Sequence, residues 1–256
     1  MTDSVMLVFE GESTEFDIYK NLHVHYFTNK PILTSFNADI YQLWKVASQH
    51  NGNMDLFEII KERSAKNQAE LDGVSREDVS RIFLFFDYEG QATNASDADI
   101  SAMLAHFDNE TENGKLYISY PMVEAIRHFE KGVDFTEVIV PAKITGYASK
   151  THPIGYKQLS ACSPRFQNLQ KLKKSDWHHI ISENLRKANF VVNNTPKMPA
   201  YREIASLNQS DMFKQQRQKY ILPKQLLAVL SAFPFFIIEY FGEKAYAELE
   251  PTTNPA

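Results

Sequence analysis

Two short, unbroken apolar runs constrain this chain most, because each one stops on acid. "VMLVF" (Val5 to Phe9) leads into Glu10, Gly11 and Glu12, and "RIFLFF" (Arg81 to Phe86) leads into Asp87, Tyr88, Glu89 and Gly90. An apolar run without polar alternation marks a strand covered on both faces. "PILTSF" from Pro31, "KLYIS" (Lys115 to Ser119) and "EVIV" (Glu137 to Val140) read as further strands. Helical patterns lie between them. Phe16, Tyr19, Leu22 and Tyr26 follow a Thr14–Asp17 capping box, and Ile100, Met103, Leu104 and Phe107 follow a Ser96–Asp99 one. Stretches 40–48 and 56–68, separated by "HNGN", also read as helices, and Pro121 sits where another would begin. Strands alternating with helices predict an α/β fold: a mostly parallel sheet with flanking helices.

After about residue 150 the strand signals stop, and helices are expected over 175–189, 200–220 and 224–240. This divides the chain into an α/β domain over 1–145 and a helical C-terminal extension over 146–256, packed on it. The division is also electrostatic. Residues 1–140 carry 24 Asp+Glu against 11 Lys+Arg, a net of −13, and residues 141–256 carry 8 against 16, a net of +8. A basic half beside an acidic one suggests contact with a polyanion. The stretch "LLAVLSAFPFFIIEYFG" from Leu226 contains Pro234 and Glu239 and falls short of the roughly 20 clean apolar residues that span a bilayer. It reads as a buried C-terminal helix, or two broken near the proline, and no membrane partner is expected. The first apolar run follows no basic region, which argues against a signal peptide. One cysteine, Cys162, excludes an intrachain disulfide and a multi-cysteine zinc site and fits a cytoplasmic location. The tail "PTTNPA" is expected to be disordered.

The two acidic strand ends belong together. In parallel α/β sheets, functional groups gather beyond the carboxyl ends of the strands. Adjacent strands would bring Glu10 and Glu12 to Asp87 and Glu89, and alternation would turn Asp87 and Glu89 to the same side. Clustered carboxylates raise one another's pKa values unless a cation neutralises them. Oxygen ligands without a Cys or His cluster favour Mg²⁺ or Mn²⁺ over zinc. Gly11 and Gly90 are expected to leave room for a phosphate.

Strand, Glu-Gly, helix, then strand, Asp-x-acid resembles the TOPRIM domain of topoisomerases, bacterial primases and the nucleases of OLD- and RloB-type proteins. "VFEGESTEFDIY" resembles the RloB-type opening, and "ISYPMVEAIRHF" (Ile118 to Phe129) the same group's strand, S-N-P and helix. The likeness covers about residues 4–130. It implies a Mg²⁺- or Mn²⁺-dependent nuclease cutting DNA or RNA, in the setting of bacterial anti-phage defence. Glu10, Asp87 and Glu89 are its implied catalytic residues. Glu10 would be the general acid/base and Asp87 and Glu89 metal ligands, with Glu12 or Glu124 completing the shell of a second ion. Asp-x-Glu replaces Asp-x-Asp, and Tyr120 replaces the asparagine of S-N-P.

Lys115 and Arg127 are the nearest candidates in sequence for holding a phosphate. Lys171, Lys173 and Lys174, with Arg165, Arg186 and Lys187 nearby, could follow a nucleic-acid backbone, and Trp177, Phe190 and Tyr201 could stack on bases. His23 and His25, two apart on a helix, point to different faces. Two rival readings are a replication role of the primase or topoisomerase kind and a non-catalytic subunit. The second would bind nucleic acid, or dock a partner ATPase or another copy through an exposed apolar helix around Phe233 to Phe241.

Overall fold

The computed structural model describes residues 4–49 and 55–249, so "HNGN" and the terminal "PTTNPA" lie outside the described residues. Strands β1 (Ser4–Phe9), β2 (Ile32–Ser35), β3 (Val79–Asp87), β4 (Asp108–Asn109) and β5 (Gly114–Ser119) form one sheet in the order β2-β1-β3-β5-β4. Every pairing is parallel except that of the edge strand β4 with β5. From β1 the chain moves out to β2 on one side and later returns to β3 on the other. The crevice beyond the ends of β1 and β3 is therefore the topological switch point, where open α/β sheets place their ligands.

Helices α1 (Thr14–Tyr26), α2 (Ile40–Gln49), α3 (Leu56–Glu62), α4 (Ala65–Glu70) and α5 (Asp97–His106) follow the expected alternation. Asp99 N–H donates to Ser96 Oγ at 3.2 Å, so the cap on α5 forms as read. The one on α1 does not: Ser13 stands at the N-cap without a side-chain bond, and Gly11 N–H donates instead to Glu15 Oε1 at 3.2 Å. The stretch 56–68 divides because Ser64 caps α4 and the buried Asn67 amide donates to Ile60 O and Ser35 O at 2.8 and 3.0 Å.

The second half contains α6 (Tyr156–Leu159), α7 (Lys174–Asn193), α8 (Gln209–Gln216), α9 (Leu222–Lys224) and α10 (Ala232–Ala247). It also contains a strand that the apolar run concealed. Strand β6 (Ile139–Pro141) pairs antiparallel with β7 (Leu226–Ala228) in a separate two-stranded sheet rather than joining the main one. Stretch 200–220 divides into a 3₁₀ turn, Tyr201–Ser206, and α8. Pro121 starts no helix: its peptide with Tyr120 is cis, and a 3₁₀ turn, Val123–Arg127, follows. Pro234 lies in the first turn of α10, and the helix breaks instead at Gly242, whose φ is +66°.

Helix α10 covers one face of the sheet. Alternation turns Phe83 and Phe85 of β3 to the same side. Phe85 stacks on Phe233 at 4.9 Å and meets Phe236 at 5.2 Å, and Phe83 meets Phe236 at 5.0 Å. Phe86 faces the other way, toward Phe36 at 6.1 Å. The apolar residues from Phe233 to Ile238 are therefore core, not an exposed docking surface, which removes the basis for a partner ATPase or second copy held there. No helix among the described residues is long and apolar enough to cross a membrane. Phe236 is fully buried among the rings of Phe83, Phe85, Tyr117 and Tyr240. Phe236→Ala is expected to cost about 3–5 kcal/mol, read as a lower denaturation midpoint with an unchanged m-value.

Candidate metal centre

Where β1 and β3 end, side-chain bonds take over from the backbone ladder. Glu10 N–H still donates to Phe85 O at 3.0 Å, and one residue further on Asp87 N–H donates to Glu10 Oε2 at 2.9 Å. Asp87 Oδ1 in turn accepts from Val123 N–H at 2.8 Å, in the turn after β5. Three parallel strands thus hold the two carboxylates from three directions. Glu89 arrives differently from the strand alternation expected of it: β3 ends at Asp87, and Glu89 takes a left-handed turn with φ +51°. Gln91 Nε2 donates to its carboxylate. Oxygens of Glu10, Asp87 and Glu89 all lie within 4.8 Å of one another.

These groups line an open cleft of about 500 Å³ together with Glu15, Asp39 and Glu124, and among the described residues Lys157 is the only Lys or Arg in its wall. Two unit charges 4.8 Å apart repel by about 3.5 kcal/mol at an effective dielectric of ~20. Three such pairs, all ionised, would offset much of the roughly 5–15 kcal/mol by which a domain is stable. Burial, then the carboxylates of Glu10, Glu15, Glu124 and Glu89, push Asp87 well above the usual carboxylate range. Burial also raises Glu10, opposed by the bond from Asp87 N–H and reinforced by Glu89, Glu15 and Asp39. Burial raises Glu89, with Asp39 adding to it, and burial raises Glu15. Glu124 Oε2 is buried without a hydrogen-bond partner, while Oε1 lies 3.6 Å from Lys157 Nζ. An all-oxygen set with an orphaned buried oxygen suits a hard divalent cation.

Several sequence expectations are corrected here. Glu12 points away from the cleft: it pairs with Lys66 at 2.6 Å and accepts from Asn37 Nδ2 and Ser35 Oγ, which lower its pKa to about 2. Gly90 is packed against protein rather than left open for phosphate, whereas Gly11 lines the cleft. A Cβ on Gly90 would meet Ala142 O at 2.4 Å, and one on Gly11 would touch the Glu15 carboxylate at 3.5 Å.

The basic candidates lie elsewhere. Lys115 is the second residue of β5, about 13 Å along the strand from the cleft end, and pairs with Glu239 beside a different cavity of about 720 Å³. Arg127 turns inward, donating to Lys157 O at 3.1 Å and Ser160 Oγ at 3.3 Å, so it holds the helix that carries Lys157. Lys171, Lys173 and Lys174 gather toward the C-terminal end of α1, where Lys174 Nζ donates to His25 O at 3.1 Å, about 16 Å along the helix from Thr14. Lys174 is engaged there with Glu248 and the Tyr26 ring.

Trp177 is core, donating to Asn21 Oδ1 at 2.7 Å, and Lys187 is fully buried against Val138 O and Phe135. Arg186 pairs with Asp134 and Glu183. Tyr120 is buried against Tyr88, and buried His128 bonds Tyr156 and Glu130 outside the cleft.

Glu15 and Lys157 are the site residues that sequence reasoning missed. Glu15 carries a signal in its place just after the E-G turn. Lys157 carries none, because a turn far along the chain brings it in.

No family model, curated protein or solved structure matches this chain. Asp87→Asn keeps the Oδ1 acceptor for Val123 N–H and removes one charge from the cluster. In chelator at neutral pH it is expected to raise the melting temperature by about 2–4 °C per kcal/mol relieved. An unchanged or lower melting temperature in calorimetry would show that the cluster carries no net repulsion.

Proposed function

We propose that the chain is a Mg²⁺- or Mn²⁺-dependent nuclease with a TOPRIM-like site, cleaving phosphodiester bonds. The observation that carries this reading is the convergence of Glu10, Asp87 and Glu89 from the ends of two adjacent parallel strands at the switch point. Asp87 and Glu89 would hold the ion, and Glu124, whose Oε2 is buried without a partner, could add to its shell. A bound divalent ion supplies positive charge for the phosphate oxygens and a water of lowered pKa.

The chain's own groups do the rest. Glu10 is recessed and burial raises its pKa above the usual carboxylate range, which suits a carboxylate that accepts and returns a proton. Lys157 holds a positive charge where a phosphate would meet the cluster: burial lowers its pKa, but Glu124 and Tyr147 outweigh that and leave it raised. On the TOPRIM likeness, the biological setting we propose is anti-phage defence.

The test is a gel in which purified protein meets plasmid, single-stranded DNA and total RNA with Mg²⁺, Mn²⁺ or EDTA. Cleavage is expected with either ion and not with EDTA, and Glu10→Gln and Asp87→Asn should each reduce its rate by about 10²–10⁴-fold. Cleavage that survives both substitutions, or none with any polymer, would refute the reading.

A further inference from the structure

The cleft has an aromatic rim that the metal chemistry does not use. Tyr147 lines it and is 73 % exposed. Its loop is nevertheless pinned. Thr145 Oγ1 donates to Tyr147 O at 2.7 Å, Tyr156 N–H to Thr145 O at 2.8 Å, and Lys157 N–H to Gly146 O at 3.0 Å. Gly155 permits that closure, since a Cβ there would meet the Tyr147 backbone at 2.3 Å. An exposed ring on a fixed frame loses little freedom when something stacks on it.

Lys157 Nζ sits 5.0 Å from the centre of that ring and 3.6 Å from Glu124 Oε1. Aromatic ring, ammonium and the Glu124 carboxylate therefore follow one another along the cleft wall, an order that suits the base and phosphate of a nucleotide. The surrounding chain is suited to a polyanion. Residues 138–163 contain three Lys and no Asp or Glu, and Lys143 and Lys150 on the rim loop are exposed. A duplex keeps its base faces stacked inside, so a lone aromatic at a cleft mouth has nothing to cover. An unpaired base offers it a face.

Building on the nuclease reading, we propose that the cleft binds single-stranded nucleic acid, with Tyr147 stacking on an unpaired base next to the phosphate that faces Glu10, Asp87 and Glu89. Matched single- and double-stranded DNA and RNA oligonucleotides, each with one 2-aminopurine whose fluorescence falls on stacking, would be titrated with the intact protein in Mg²⁺ and then followed for cleavage. Tyr147→Ala and Tyr147→Phe would run alongside, with melting temperatures checked.

Quenching and faster cleavage on single strands are expected. Both should weaken about tenfold in Tyr147→Ala and return in Tyr147→Phe, within the range for one base–aromatic stack; the DNA and RNA arms identify the sugar. Equal handling of duplex and single strand, or a Tyr147→Ala variant that behaves as the parent, would overturn the stacking role while leaving the nuclease intact. Tyr147-dependent quenching without cleavage of any polymer would support the binding and overturn the nuclease. Absence of both would overturn both.

Discussion

The bond from Asp87 N–H to the Glu10 carboxylate is the point on which the site turns. It forms one residue past the last backbone bond between β1 and β3, so the register of two buried strands fixes where a charged side chain must lie. That register is set by apolar burial: Met6, Leu7, Val8 and Phe9 are at most 1 % exposed, as is Leu84 opposite Val8. A slip by one residue would turn every core side chain to the other face of the sheet and carry the acids with it. The sheet's hydrophobic energy is thus what holds repelling carboxylates together.

The fold manages the resulting charge locally and only in part. Glu12 is drawn off to Lys66, Asn37 and Ser35 on the outer side of the turn. The first turn of α1 directs its positive end at the same region, and Gly11 N–H reaches Glu15. Lys157 approaches Glu124 at 3.6 Å but bonds only one of its oxygens. Six carboxylates and one ammonium in a single cleft wall leave an excess of negative charge that a divalent cation would neutralise.

The sheet and its acids were legible in the sequence because both rest on short-range pattern. Unbroken apolar runs told parallel strands from alternating ones, and the acids after them told which ends face the crevice. Legibility failed where tertiary closure decides. The run from Leu226 is apolar throughout, so periodicity could not show that Leu226–Ala228 pairs as a strand while the helix begins at Ala232. The Pro121 helix became a 3₁₀ turn because Asp87 and Tyr88 bond to that segment's backbone, at Val123 N–H and Pro121 O. Lys157 has no motif around it. It reaches the cleft because Arg127 holds its carbonyl and Gly155 allows the loop to fold back on Gly146 and Tyr147.

Part of the basic charge of the second half is engaged inside the fold. Lys187 is buried, Arg186 and Arg165 are bound to Asp134 and Asp176, and Lys174 is committed to Glu248. Arg186, Lys187 and Arg217 fasten that half to Asp134, Val138 and Asp97, whereas the Arg165–Asp176 and Lys174–Glu248 pairs lie within it. Exposed basic side chains remain both in the segment without acids and beyond it, at Lys197, Arg202, Lys214, Lys224 and Lys244, and the segment without acids supplies the cleft with its cation and its aromatic rim. The two halves divide the site by charge. The sheet presents carboxylates, which by themselves would repel a phosphate, and the later segment presents the ammonium and ring that make approach favourable. A cleft built from the sheet alone would gather a metal and turn away a polyanion.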